Sequence, residues 1–228
     1  PDIGLFEVGP AYRDDTPTGQ DAVAAGIRHG NSGPRHWQDT PTPAGVFDAK
    51  ADAYAVLASI GAPVDNLQIS ADAPAWYHPG RSGTLRLGKT VLAWFGEIHP
   101  KILRRLGDRG PAAGFEIFLD HVPQPKQRGG KARPPLKASS FQPVHRDFAF
   151  VVEATVSADQ ILRAARTVDR NLITDAGVFD VYKGESLGAD KKSVAIWLTL
   201  QPTEQTLTDE EIDAVAAKVI VNVERQTG

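Results

Sequence analysis

The plainest alternation of apolar and polar positions lies near the end of the chain. From Val194 to Gln201 every second residue is aliphatic, so Val194, Ile196, Leu198 and Leu200 share one side of a strand. Ser193, Ala195 and Trp197 take the other side. Val178–Tyr182 reads as the strand before it, with Phe179 and Val181 toward a core and Asp180 and Tyr182 turned away; Gly184 and Gly188 supply the turn region between the two. Phe148–Val152 predicts a further strand, apolar on both faces. Helical spacing appears twice in this half, each time after a capping box: Ser157 with Gln160, then Thr208 with Glu211. Ile161, Leu162, Ala165 and Val168 line the first helix, and Ile212, Val215, Ala216, Val219 and Val223 the second. The order β-α-β-β-α is one strand short of the ferredoxin-like motif, and the absent strand would follow Gly228. Two helices cover one face of such a sheet. Asp180, Tyr182, Ser193 and Trp197 are left on the other, which suits either a binding surface or a docking face for another domain.

The first half mixes hairpins with short helices. Leu5–Val8 and Phe115–Leu119 are strand-like, and Thr84–Leu87 and Val91–Phe95 flank Gly88-Lys89, a pair suited to a tight turn. Phe47, Ala51, Tyr54, Leu57 and Ala58 fall at helical spacing ahead of Gly61, which sits where a C-terminal cap belongs. Pro100, Leu103, Leu106 and Gly107 outline a second, short helix. Together these predict an α+β fold with a mainly antiparallel sheet. Between the halves, residues 124–138 are dominated by proline, glycine and basic residues, with no face for a helix or strand. The division expected is therefore a sheet domain over 1–123, a basic linker over 124–138 and a second domain over 139–228. From Gln124 to Asp147 six Lys or Arg stand against one acid, a solvated linker or a strap for phosphates.

Composition narrows the classes further. Of 228 residues, 41% are hydrophobic and 23% charged, enough apolar material for two cores. A net charge of −3 means that any nucleic-acid contact rests on local charge. Cysteine is absent, which excludes disulfides and thiolate chemistry and fits a reducing compartment. No apolar run is long enough for a membrane span. The chain opens on Pro1 and holds no methionine, so it reads as a fragment of a longer protein.

Motifs for catalysis are missing. Gly83-Thr-Leu-Arg-Leu-Gly-Lys-Thr90 matches the phosphate-loop pattern by letter, but its interior alternates like a strand and no helix start follows, so it reads as a hairpin. His78, His99 and His121 are isolated, without a metal-ligand spacing, and read as turn histidines. No nucleophile elbow is present.

Eight strings in order carry a resemblance. They are Leu5-Phe-Glu-Val-Gly9, His78-Pro-Gly-Arg-Ser82, Gly96-Glu-Ile-His-Pro100, Phe115-Glu116, Ser140-Phe-Gln-Pro-Val-His-Arg-Asp147, Phe179-Asp-Val-Tyr-Lys-Gly184, Lys191-Lys-Ser-Val-Ala195 and Gln205-Thr-Leu-Thr-Asp209. This series resembles the C-terminal third of the bacterial phenylalanine–tRNA ligase β subunit, over nearly the whole chain. The resemblance implies a class II synthetase-like sheet domain, catalytically silent, followed by a ferredoxin-fold anticodon-binding domain. Silence agrees with the residues. Where the active relatives carry a glycine-rich strand ending in an ATP-binding arginine, this chain has Gly114-Phe-Glu-Ile-Phe-Leu-Asp-His121. Tyr12-Arg-Asp-Asp15 echoes another class II motif, but Pro10 stands in an arginine's place, so no ATP role passes to Arg13.

In the last domain the resemblance assigns base stacking to Tyr182 and hydrogen bonding to Asp180 and Ser193. By their charge, Lys192 and Arg146 are candidate phosphate partners. Trp197 departs from the smaller or aliphatic residue expected there, which leaves packing as its other reading. The implied partners are tRNA and an α subunit, in a heterotetramer of two α and two β subunits. No cofactor is expected in this chain, ATP and magnesium being used by the whole enzyme, and the expected location is cytoplasmic. The competing function is a ferredoxin-like module sensing a small molecule, which Glu153-Ala-Thr-Val-Ser157 disfavours for want of a glycine in the first turn. A purely architectural domain is the third.

Overall fold

The computed structural model describes residues 2–124 and 138–228, except 35 and 39. The chain divides into two compact units, Pro1–Gly130 and Lys131–Gly228. The basic linker read over 124–138 lies, apart from its two end residues, outside the described residues.

The first unit is built on an antiparallel sheet. Its elements are β1 (Ile3–Tyr12), β2 (Gln20–His29), α1 (Val46–Ser59), β3 (Gln68–Ser70), β4 (Tyr77–Leu87), β5 (Thr90–Ile98), α2 (Pro100–Arg105) and β6 (Ala112–Phe118). The six strands lie in the order β1-β2-β6-β5-β4-β3. Leu87 pairs with Thr90, and Gly88 between them has φ +63°, so the phosphate-loop look-alike is a two-residue hairpin turn. Its N–H groups belong to ladders, not to a ligand cradle.

The helix α1 forms where its spacing predicted and ends at Gly61, φ +83°. Its buried stripe is different, however: Ala49, Ala53 and Leu57 face the sheet, while Phe47 is 79% exposed and Ala51 and Ala58 are exposed. Small alanines let the helix close on Leu85, Ala93, Phe95, Phe115 and Ile117. Arg28 of β2 fixes its pitch through Asp52, with bonds of 2.6 and 2.8 Å. In α2 Pro100 takes the first turn and His99 caps it, but Leu106 is 76% exposed.

The second unit runs β7 (Val144–Glu153), α3 (Ala158–Arg166), β8 (Ile173–Tyr182), β9 (Lys191–Leu200) and α4 (Asp209–Thr227). The sheet order is β7-β9-β8, all antiparallel. Both capping boxes form: Ser157 and Thr208 accept from the backbone N–H groups of Gln160 and Glu211, whose side chains reach back to the caps. Val194, Ile196 and Leu198 are fully buried and Leu200 nearly so, against Ile161, Ala165, Val219 and Val223.

β7 carries apolar residues on both faces, of which one is covered: Phe150 and Val152 are buried, while Val151 is 54% exposed and Ala149 is exposed. One expectation changes here. Phe179 does not enter the core; the pairing with β9 slips between Val178 and Asp180, and Phe179, 56% exposed, is the extra residue. Val181 does lie opposite buried Val194, yet stays 48% exposed near the strand's end.

Candidate nucleic-acid interface

The helices α3 and α4 pack on one face of the second unit's sheet, so the residues directly opposite one another on the other face make its working surface. Tyr182 pairs with Ser193, Asp180 with Ala195 and Gly177 with Trp197. From β7, Val151 stands opposite Ser193 and Asp147 opposite Trp197. The bulge at Phe179 sets this arrangement. It shifts the phase by one residue, so that Gly177, Asp180 and Tyr182 share a face although the first two are three positions apart.

Tyr182 is 50% exposed. Its hydroxyl end lies over Gly184, in space a side chain there would fill, so the ring rests on backbone and keeps a face to solvent. Asp180 is exposed and Ser193 half-buried. A carboxylate only accepts hydrogen bonds and a hydroxyl does both, which suits the N–H and carbonyl groups on the edge of a base held on the ring. Asp147, Asp175 and Asp180 make this face unattractive to phosphate. Exposed Lys183 and Lys191 lie beside Tyr182 and Ser193 at the same end of the sheet.

The other two predicted site residues stand apart. Lys192 lies opposite Val152, on the helix side, and its Nζ donates to the Ala154 carbonyl at 2.9 Å. Burial, then the charge of Lys183, lowers its pKa. Arg146 lies opposite Leu198, also on the helix side, exposed, with one guanidinium N–H donated to the His145 carbonyl at 3.3 Å. The structure thus joins Tyr182, Asp180 and Ser193 and separates Lys192 and Arg146 from them. Asp147 and Val151 belong to the same face, the first just before the apolar run and the second within it; pairing with β9 reveals their place.

The first unit's uncovered face is aromatic. Trp94 packs edge-on between Trp76 and Phe118, with centroids 5.5 and 4.6 Å away. Glu116 accepts from the Trp76 indole at 2.8 Å and the Tyr77 hydroxyl at 2.9 Å on one oxygen. A shallow depression of about 460 Å³ borders it, lined by Leu5, Glu7, Ala25, Ile27, Tyr77 and Glu116 among others. Arg13 is already engaged with Asp21 at 2.6 Å. Among the described residues no group of three or more His, Asp or Glu is placed to hold a metal ion, and no helix is long and apolar enough to cross a membrane.

The model of the ferredoxin-fold anticodon binding domain matches residues 139–228, the whole of this two-helix, antiparallel-sheet unit. Residues 1–119 match the model described as the phenylalanyl tRNA synthetase beta chain CLM domain. The chain belongs to the phenylalanyl tRNA synthetase beta chain family.

Its relatives agree. The phenylalanine–tRNA ligase beta subunit of Rhodospirillum rubrum is 56% identical over 227 residues, covering all of this chain and 28% of that protein. Those of Paramagnetospirillum magneticum and Mesorhizobium japonicum are 52% and 53% identical, again over the whole chain and 28% and 29% of their own length. The chain therefore spans under a third of the curated relatives it matches. Among solved structures, a pyrrolysyl tRNA synthetase of Desulfitobacterium hafniense covers 53% of this chain and 40% of its own, at a TM-score of 0.37 and 16% identity, too slight to establish a shared fold.

Proposed function

We propose that this chain is the tRNA-binding and subunit-interface part of a phenylalanine–tRNA ligase. In this reading the second unit receives the anticodon loop on its open face. A base stacks on Tyr182, and Asp180 and Ser193 take its polar edge. Exposed Lys183 and Lys191, close to Tyr182 and Ser193 in the chain, are cations for the backbone; Arg146 and Lys192 are rooted on the helix side. The observation that carries the reading is the grouping of Tyr182, Asp180 and Ser193 on the uncovered face of a unit matched by the anticodon-binding family.

The first unit is a class II synthetase-like domain without catalysis of its own. In keeping with that reading, Arg13, in the turn after β1, is tied to Asp21, and Gly114 is the one glycine of β6. An α subunit, in a heterotetramer of two α and two β, supplies the active site, where ATP and magnesium are used. The exposed Leu5, Phe6 and Val8 of β1, at 63%, 86% and 63%, are apolar surface of the kind a partner covers.

Filter binding of the chain to phenylalanine tRNA across a salt series tests the proposal. Saturable binding that prefers this tRNA over one with another anticodon is expected. Equal binding to both, or none, would remove the anticodon role and favour an architectural or ligand-sensing domain.

A further inference from the structure

The second unit's open face holds one more aromatic that the reading above leaves without a task. Trp197 is opposite Gly177 on one side and Asp147 on the other, in mid-strand. Its indole leans across β8: a Cβ built on Gly177 would lie 2.6–2.8 Å from three of the ring atoms, so the ring lies on bare backbone. It takes no part in the core cluster beneath the helices, and its side chain is half-buried. A large apolar ring held against a glycine on a wet, polar face buries one side and offers the other. Tyr182 is seated in the same way on Gly184.

We infer that Trp197 is a second stacking platform, taking another base of the RNA strand that stacks on Tyr182. This inference rests on the tRNA-binding reading above. Ser193, opposite Tyr182, and Trp197 are four residues apart on β9, a separation of about 13–14 Å at ~3.4 Å per residue. That is roughly four nucleotides of a stacked strand, and fewer of one splayed open. The two rings thus bracket a stretch the length of an anticodon and its neighbour. Asp147 and Asp180 lie between or beside them, offering acceptors for base N–H groups and repelling phosphate, so the backbone runs outside and the bases point at the sheet.

The test uses the full chain and a stem-loop RNA carrying the phenylalanine anticodon. Trp197→Ala should weaken binding roughly 5- to 150-fold, the worth of one base–aromatic stack. Trp197→Phe should hold affinity within about threefold while abolishing the RNA-induced quench of tryptophan fluorescence, since Trp37, Trp76 and Trp94 all lie in the other unit. An abasic site at one nucleotide within about four of the base on Tyr182 should cost wild type the same factor and cost Trp197→Ala nothing further. If Tyr182→Ala weakens binding but Trp197→Ala binds like wild type and no quench is seen, the inference fails and the tRNA reading stands. If the wild-type chain binds no RNA, both fail together. Should Trp197→Ala unfold the unit, the quench and the abasic scan on Trp197→Phe and wild type decide alone.

Discussion

Removing the Glu116 carboxylate should destabilise the first unit by about 2 kcal/mol, and the sum can be traced atom by atom. One oxygen of Glu116 accepts from both Trp76 and Tyr77. Tyr77 is 3% exposed, so in Glu116→Ala its buried hydroxyl loses the acceptor for its proton, at about 1–3 kcal/mol. Trp76 is 41% exposed, and its N–H can turn to water at little cost. Glu116→Gln keeps an acceptor and loses only the charge, which should cost about 1 kcal/mol. In a Tyr77→Phe background the orphan no longer exists, and Glu116→Ala should cost at least about 1 kcal/mol less.

The pair also carries a pH signature. Burial first, then the Glu116 carboxylate, pushes the Tyr77 hydroxyl far above the ordinary phenol range. A group whose pKa is raised by folding contributes fully below its unfolded value, near 10, and loses that contribution as pH climbs beyond it. Wild type should therefore lose up to about 1.4 kcal/mol per pH unit more than Tyr77→Phe above pH 10. Urea unfolding followed by tryptophan emission, which reports chiefly the first unit, measures both effects. Equal pH slopes, or a Glu116→Ala cost unchanged by Tyr77→Phe, would refute the reasoning.

Other predictions follow from single contacts. Gly88→Ala should destabilise the β4–β5 hairpin by about 1 kcal/mol, because φ is +63° there, whereas Lys89→Ala should change neither stability nor any nucleotide affinity; calorimetric titration with ATP checks the second point. Leu198→Ala, at a fully buried position under both helices, should cost about 2–5 kcal/mol, seen as early loss of amide protection in the second unit by hydrogen exchange. Thr208→Ala should cost about 1 kcal/mol by removing the cap of α4, and Thr208→Ser should restore it.

The legible parts of the sequence were those decided within a few residues. Gly88-Lys89 forces a turn, and the boxes at Ser157 and Thr208 start helices, whatever lies beyond them. The face of α1 was misread because Ala49 and Ala53 carry almost no hydrophobic signal; they are chosen for closeness to Phe95 and Phe115, a property of the packed pair. β2 is not legible in the sequence for a related reason: Asp21-Ala-Val-Ala-Ala-Gly has little strand preference, and its ladders to β1 and β6 make it a strand. At the candidate site, alternation placed Tyr182, Asp180 and Ser193 on one face, but it could not locate the bulge at Phe179. Lys192 and Arg146 were chosen for charge alone, and cross-strand pairing sets them on the far side.

The most direct measurement is phenylalanine charging by the assembled enzyme carrying Tyr182→Ala. The account predicts a fall in kcat/KM for tRNA of roughly 5- to 150-fold, one base stack, with amino-acid activation untouched and unfolding of the second unit shifted by no more than about 0.5 kcal/mol. Tyr182→Phe should be close to neutral, since the ring face makes the contact. Charging of an anticodon-swapped tRNA, already poor, should barely change. An unfolded second unit would make Tyr182 a structural residue, and an equal loss for both tRNAs would show that it does not read the anticodon; either result contradicts the account.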